Sequence, residues 1–502
     1  MRTNALRILL EMRPALDGHA GIPQETRLLC SQLLQMESTS IEGLLQSGNQ
    51  TLTAGLPALA SAAARMTPDE KFDRMSRIIV SIQQDETLGR IRRLIAIGRT
   101  ALQSFVLSLK TLAGFQVELR RFEAAHFEDF VWRSLFARSL PQAEFDRVTK
   151  VDYRVVQLPW AALHIIGLAL RRVGCAIYPR FDTRDFDVLI SETPFPGRVR
   201  KPTHMIVRYH DSFPILMAHT IHNGGLHRAS HYNAMRRNVR DGAWFACVSE
   251  ATRKDLITLF PEVESRTVTI HNIVSDQFYP VQASQDRIAE IVHVRRNLKL
   301  DAKRQFHAVN LDNQFGRRRY ILMVSTIEPR KNHELLLAVW ENLRSEDCED
   351  LDLVFVGSPG WKYSSTLDRL RPWVARGRIH VLSDVPTEEL RVLYSQASLT
   401  VCPSVAEGFD FSGVEAMRCD CPVAASDIPV HREIFREAAA YFNPYSVTDA
   451  IKAIGALLKP EAAQTRSELI AAGRTVVQAY LPETIMPQWA ELLERLRSSK
   501  QS

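Results

Sequence analysis

The sequence predicts an α/β protein of two Rossmann-like domains facing a cleft, with a helical insertion in the first domain. Three observations carry this. Short apolar strands alternate with amphipathic helices on both sides of residue 300, which implies two parallel sheets, each covered on both faces. At 502 residues the chain is too long for one ordinary core, so two domains of about 150–250 residues are expected. Between about residues 50 and 150 the strand signals give way to helical apolar spacing.

The elements follow in order. Residues 7–13 read as a first strand, and the turn Asp17-Gly-His-Ala-Gly21-Ile-Pro23 leads into a helix over about 24–36. The insertion is read as helices at 69–84, 89–110 and 115–140. Alternation then resumes with helices at 159–173, 225–239, 250–260 and 283–297. Strands at 186–191, 204–209, 244–248 and 267–271 fall between them, and together these complete a first domain of residues 1–298. The polar stretch 299–319 has no amphipathic pattern and is read as a linker. A second domain, 320–480, is expected to carry strands at 320–325, 351–356, 378–382, 398–402 and 422–425. Its helices are expected at 332–344, 363–375, 387–397, 413–419 and 447–458, with further helices at about 462–479 and 483–498. The segment 481–502 is expected to pack back on the first domain.

Composition narrows the function classes. Hydrophobic content of 45% with 24% charged residues fits a soluble globular protein, and no run reaches the ~18 apolar residues of a membrane span. Ile8-Leu-Leu10 is cut short by Glu11 and Arg13, so it reads as a strand, not a signal peptide. Seven scattered cysteines point to free thiols in a reducing cytoplasm. Cys419-Asp-Cys421 has no partner pair nearby for zinc. Residues 1–250 hold 32 Lys and Arg against 24 Asp and Glu, a balance of +8, while the remainder holds 31 against 33, a balance of −2. A basic first half suits an anionic membrane surface or a diphosphate-bearing acceptor, or it is scatter on a solvated face. Nucleic acid is disfavoured because no dense Lys/Arg block occurs. The expected location is cytoplasmic, with room for peripheral contact at the inner membrane face.

The chemistry concentrates in Ala406-Glu407-Gly408-Phe409-Asp410-Phe411-Ser412-Gly413-Val414-Glu415, which follows a strand and runs into a helix. A helix start offers backbone N–H groups and a positive dipole end to a phosphate. Glu415 lies where a carboxylate can reach a ribose diol, and Glu407 where a sugar ring can lie. On spacing alone, Glu415 can equally be a capping acid and Glu407 a solvated one. Glu328-Pro-Arg-Lys-Asn332 sits in a strand-to-helix loop, and Arg330 with Lys331 can offset a diphosphate's charge. Asp185-Phe-Asp187 and Asp350-Leu-Asp352 have a metal-binding look but abut strand starts, the wrong end for ligands, so they read as turn acids and no metal is expected.

In these residues the chain resembles the family-4 retaining glycosyltransferases, whose E-x7-E signature is matched by Glu407 and Glu415. The match continues through Pro422-Val-Ala-Ala-Ser-Asp427-Ile428-Pro429 and, upstream, through Ile321-Leu-Met-Val-Ser-Thr-Ile-Glu-Pro-Arg-Lys-Asn-His333. The resemblance implies the GT-B fold and hexose transfer, with the anomeric configuration retained. The co-substrate would be a nucleotide-diphosphate sugar, with no other cofactor. The acceptor would be a hydroxyl of a glycan or of a polyprenyl-diphosphate-linked glycan. General similarity to bacterial surface-polysaccharide mannosyltransferases suggests mannose from GDP-mannose. It further implies that Lys331 is the diphosphate lysine, with Arg330 replacing an arginine that relatives carry where Ser325-Thr326 stands. His210, after the strand 204–209, would approach the donor sugar. Gly21 would open the loop facing the donor across the cleft, although Pro23 stands where relatives carry glycine. Amides of Phe411, Ser412 and Gly413 would meet the phosphates, and main chain at Ser383 would hold the base. Asp410 and Ser412 depart from the family's glycine and proline. A sugar phosphorylase, a sugar-nucleotide epimerase and a non-catalytic sugar-nucleotide-binding protein stay open as alternatives.

Overall fold

The computed structural model describes residues 5–19, 21–82, 90–169, 176–296, 318–346 and 348–498. The first domain contains β1 (Leu6–Glu11), β2 (Thr39–Leu45), β3 (Gln116–Val117), β4 (Arg120–Phe122), β5 (Tyr153–Val155), β6 (Arg180–Phe181), β7 (Val188–Ser191), β8 (His204–Tyr209), β9 (Trp244–Cys247) and β10 (Thr267–Thr269). Eight of these form one sheet in the order β10-β9-β8-β7-β1-β2-β5-β4, and β3 pairs with β6 apart from it. Every pairing in the large sheet is parallel except β4 on β5. Side chains alternate faces as strand geometry requires. Ile8, Leu10, Val188 and Ile190 enter one core layer, whereas Leu9 and Leu189 enter the other.

Two parts of this domain differ from the sequence expectation. Strands β2 and β5 lie outside the sequence expectation, because Thr39-Ser-Ile-Glu-Gly-Leu-Leu45 is broken by polar residues and a glycine, and Tyr153-Arg-Val155 is only three residues long. The helix expected over 115–140 is also absent. Gly114 at φ 82° ends the helix Arg90–Leu112 in the left-handed region that glycine tolerates. Beyond it the chain forms β3 and β4, then only short helical turns at Glu128–Val131 and Trp132–Phe136. Phe122 stacks on Phe127 with ring centroids 5.5 Å apart and closes the sheet edge as part of the core. The apolar spacing there came from a folded-over edge.

The second domain contains β11 (Arg319–Val324), β12 (Leu351–Val356), β13 (Ile379–Leu382), β14 (Leu399–Cys402), β15 (Val423–Ser426) and β16 (Ala439–Phe442). They form one parallel sheet in the order β13-β12-β11-β14-β15-β16. Leu322, Val354 and Val356 face one layer, and Ile321, Leu353 and Phe355 the other. Strand β16 and the helix Pro429–Phe435 before it were not anticipated. Of the expected linker, residues 299–317 lie outside the described residues, and Arg319 already belongs to β11.

Each sheet reverses its order once, between β1 and β7 in the first domain and between β11 and β14 in the second. Parallel α/β sheets open a crevice at the carboxyl ends of such strands. The helix Pro482–Ser498 buries Ile485, Trp489, Leu492, Leu493 and Leu496 in the first domain's core. Glu433 ties the two domains together. Its carboxylate accepts from the amides of Glu250 and Ala251 at 2.6 and 2.9 Å, at the start of the helix Glu250–Leu259, and meets His271 Nε2 at 2.9 Å.

Candidate active site

Both crevices open into one cleft of about 1250 Å³ between the domains. Its second-domain wall is built by the loops after β11 and β14. Glu328 leads into a single 3₁₀ turn, Pro329–Lys331, which ends at Asn332 in the left-handed conformation, φ 60°. The Asn332 side chain donates to the carbonyls of Pro403 and Pro444 at 3.1 and 2.9 Å, which locks the basic loop onto the loop after β14. Arg330 donates from Nε to Glu328 Oε1 at 2.7 Å, and from one terminal nitrogen to Glu407 Oε2 and the Ala406 carbonyl at 2.8 and 3.1 Å. The Lys331 ammonium donates to Glu407 Oε1. Burial pushes the Glu407 carboxyl up, but the Lys331 and Arg330 cations outweigh it and hold the group below the usual carboxylate range.

The helix Phe411–Arg418 begins where the loop ends. Its cap, Asp410, adopts φ 72° and accepts from Ser412 through both the amide, at 3.1 Å, and the hydroxyl, at 2.6 Å. His431 Nε2 lies 3.1 Å from the other Asp410 oxygen. Burial raises the Asp410 carboxyl, yet His431, Lys331 and Ser412 together hold it well below the ordinary value. A helix start needs an acceptor for its free amides, and here the charged Asp410 side chain supplies it. Glu415, one turn into the helix, is buried, accepts from Gln24 Nε2 at 2.8 Å and Tyr394 Oη at 3.1 Å, and is pushed up to about 7 by burial. Gln24 comes from the first domain, so this carboxylate joins the two walls.

The first-domain wall is set by the ends of β1, β7 and β8. His210 follows β8, with Nε2 3.5 Å from Glu192 Oε2 at the end of β7. Burial drives His210 down to about 4 and Glu192 up to about 8, so both are neutral near pH 7. Beneath them Arg208 is fully buried. It donates to Glu25 at 2.8 Å, to the Ile270 and His271 carbonyls at 2.6 and 3.2 Å, and to Asn272 Oδ1 at 2.8 Å. The walls approach closely at Gly408, where an added Cβ would lie 2.0 Å from the His210 carbonyl oxygen. Gly21, at φ 70°, caps the helix Ile22–Leu33 and lines the same cleft.

Of the residues the sequence singled out, His210, Arg330, Lys331, Glu407, Glu415, Gly21, Phe411 and Ser412 line this cleft. Gly413 and Ser383 do not. Gly413 faces Phe435, whose ring an added Cβ would meet at 2.2 Å. The Ser383 amide donates to the Arg295 carbonyl at 3.0 Å, and its neighbours Asp384 and Val385 line the cleft instead. The Ser412 amide is likewise taken by Asp410. Sequence reasoning missed Glu192, Gln24, Tyr394 and the Asp410–His431 pair. Glu192 ends a strand beside the reversal point, which is a usable signal, whereas Gln24 and Tyr394 carry none. The Asp-x-Asp triplets lie outside the cleft: Asp185 is 3.4 Å from Arg154, the Asp187 carboxylate accepts from the Arg7 amide at 2.8 Å, Asp350 pairs with Arg319 at 3.0 Å, and Asp352 with Arg378 at 3.1 Å. Among the described residues no cluster of three or more His, Cys, Asp or Glu side chains is arranged to hold a metal ion.

The chain is similar in part to known proteins. Residues 310–476 match the family model described as glycosyl transferases group 1. The serotype-specific mannosyltransferase WbdA of Escherichia coli is 36% identical over 135 residues, 26% of this chain and 16% of that protein. The O-antigen chain mannosyltransferase B of Escherichia coli is 30% identical over 206 residues, 41% of this chain and 49% of that protein. The match therefore spans half or less of each of these relatives. Among solved structures, sucrose-phosphate synthase of Thermosynechococcus elongatus superimposes with a TM-score of 0.56 at 15% identity, over 98% of this chain and all of that one. TarM superimposes with a TM-score of 0.53 at 13% identity, covering 97% and 98% of the two chains. With the two facing parallel sheets, these likenesses show the GT-B fold, and the carboxyl-terminal domain of this chain carries the match to the group 1 glycosyl transferases.

Proposed function

We propose that this chain is a retaining hexosyltransferase of polysaccharide biosynthesis. In this reading it moves a sugar from a nucleotide-diphosphate donor to a hydroxyl of a glycan or polyprenyl-diphosphate-linked glycan. Mannose from GDP-mannose is the donor we favour, supported by relatives whose names are mannosyltransferases. The observation that carries the proposal is the pairing of half-buried Lys331 and Arg330 with buried Glu407, facing His210 across the cleft.

In the reaction, the bond between the anomeric carbon and the phosphate oxygen breaks while a bond to the acceptor oxygen forms on the same face. The acceptor proton passes to the leaving diphosphate, so no carboxylate nucleophile is needed. Negative charge grows on that diphosphate, and fixed cations in a water-poor cleft stabilise it. Arg330 is held by Glu328, the Ala406 carbonyl and Glu407, which makes it a rigid element. Lys331 is a mobile point charge on a flexible stem and follows the leaving phosphate. Glu407 places an acceptor for sugar hydroxyls beside both cations, and Glu415 offers its carboxylate to the ribose. Neutral His210 donates a hydrogen bond to the sugar without carrying a competing charge.

The test is transfer by the purified chain with GDP-, UDP- and ADP-sugars and a glycan or lipid-linked acceptor, alongside thermal shifts with GDP, UDP and ADP. A shift confined to one diphosphate identifies the base, because a ligand binding only the folded state raises the melting temperature by mass action. Absence of any shift and of any transfer overturns the proposal.

A further inference from the structure

The helix Arg90–Leu112 carries an apolar stripe on its solvent side. Leu102, Phe105, Val106, Leu109 and Leu112 recur at the spacing of a single helical stripe, and that stripe faces outward. Their exposures are 64, 62, 41, 54 and 69%. Phe115 extends it at 65%. The inward face is served by Leu107, which is buried in the core, and by two polar side chains: Gln103 Nε2 donates to Thr51 Oγ1 at 2.8 Å, and Ser104 is buried with its hydroxyl 2.7 Å from the Thr100 carbonyl and 3.3 Å from that of Ala162. A helix that served only the core would not also carry an apolar stripe on its solvent side.

Charge indicates what the outward face meets. From Gly98 to Leu112 the helix carries Arg99 and Lys110 and no carboxylate. Both cations are exposed beside the stripe. An outward apolar stripe whose charged neighbours on the helix are both positive suits a helix lying in the interface of an anionic bilayer. A second copy of the same helix would bring cation against cation. No described helix is long and apolar enough to cross a membrane, so the contact is with its surface.

Placement ties this face to the cleft. The helix packs on Trp160–Ala169, and that second helix lines the cleft with Trp160, His164, Ile165 and Leu168. Ile165 and Leu226 line the cleft and are themselves exposed, at 41 and 54%. We propose that the helix Arg90–Leu112 lays its Leu102-to-Leu112 stripe into the surface of an anionic bilayer and so holds the cleft mouth against the membrane. The inference does not depend on the transfer reaction, since its readout needs no activity.

The experiment is co-sedimentation of the full chain with phosphatidylcholine vesicles, with and without phosphatidylglycerol. The protein is expected to sediment with the anionic vesicles and to be released by salt. Phe105→Glu with Leu109→Glu, both at exposed positions, should weaken partitioning about a hundredfold while leaving the circular dichroism and thermal melt unchanged. Arg99→Glu with Lys110→Glu should abolish the preference for anionic over neutral vesicles. Failure to bind any vesicle, equal binding to both compositions, or unchanged binding by the Phe105/Leu109 variant overturns the proposal. A dimer in sedimentation velocity that the same variant dissociates, without vesicle binding, assigns the stripe to a second copy and also overturns it.

Discussion

Lys331→Ala gives the sharpest test of how the cleft handles a leaving diphosphate. The substitution removes one cation from a buried site and leaves Arg330 pinned to Glu328, Glu407 and the Ala406 carbonyl. Two unit charges about 4 Å apart interact by ~4 kcal/mol at an effective dielectric of about 20. Lys331 already holds Glu407, so part of that interaction is present before reaction, and the differential loss is about 3–4 kcal/mol. At ~1.4 kcal/mol per decade this is a fall of about 10²–10³ in turnover, similar to the loss of one donor from an oxyanion site. Arg330→Ala is the poorer probe, because it strands buried Glu328, takes one of two cations from Glu407, and costs about 3–5 kcal/mol of fold stability. The assay is single-turnover release of nucleoside diphosphate at saturating donor, with the melting temperature of the variant as a control for folding. A Lys331→Ala enzyme within about tenfold of the parent refutes the assignment, and so does a loss confined to KM, since that would mark uniform binding.

Four further outcomes follow from the same geometry. Gly408→Ala drives a Cβ to 2.0 Å from the His210 carbonyl, so the walls must part at about 1–3 kcal/mol, and transfer should fall steeply while urea unfolding shifts modestly. Glu192 carries a folded-state value near 8 against an ordinary 4.5, so folding takes up a proton: its contribution is whole below about 4.5 and drains away as pH rises to about 8. The melting temperature of the parent should therefore decline across that window relative to Glu192→Gln, and parallel curves would count against a neutral Glu192. Asp185→Ala and added EDTA should each leave transfer within about twofold, because Asp185 pairs with Arg154 outside the cleft; a large loss in either would restore a metal reading. Trp489→Ala empties a fully buried site in the first domain's core and should cost about 3–5 kcal/mol in denaturant unfolding, although Trp489 belongs to the last helix of the chain.

What was legible in the sequence, and what was not, divides along a physical line. The second sheet could be read because each of its first five strands is a run of apolar residues buried on both faces, such as Leu351-Asp-Leu-Val-Phe-Val356, and each is followed by loop chemistry. The first sheet was read only in part, since β2 is broken by polar residues and a glycine, and β5 is short and gains its place through pairing with β2 and β4. The region after Gly114 misled for the same reason: its aromatic residues repeat at helical intervals, but they stack on one another across a folded edge. Tertiary pairing overrides local periodicity when a segment is this short.

The site shows the same division more sharply. Glu407 and Lys331 were visible because each lies in the loop that follows a strand, where ligands must be held if the sheet binds any, and Glu415 because it sits in the first turns of the helix that this loop enters. Gln24 bonds Glu415 across 391 residues, and His210 meets Glu192 through the pairing of the neighbouring strands β8 and β7, so no spacing rule reaches either pair. Asp410 is the instructive intermediate. Sequence showed only that an aspartate stood where glycine is usual. The fold shows why it can stand there: its carboxylate compensates a strained φ by capping Ser412 and pairing with His431, a residue on the unanticipated helix Pro429–Phe435. An aspartate at that position thus requires His431 or an equivalent donor, so Asp410→Gly should tolerate loss of His431 far better than the parent chain does.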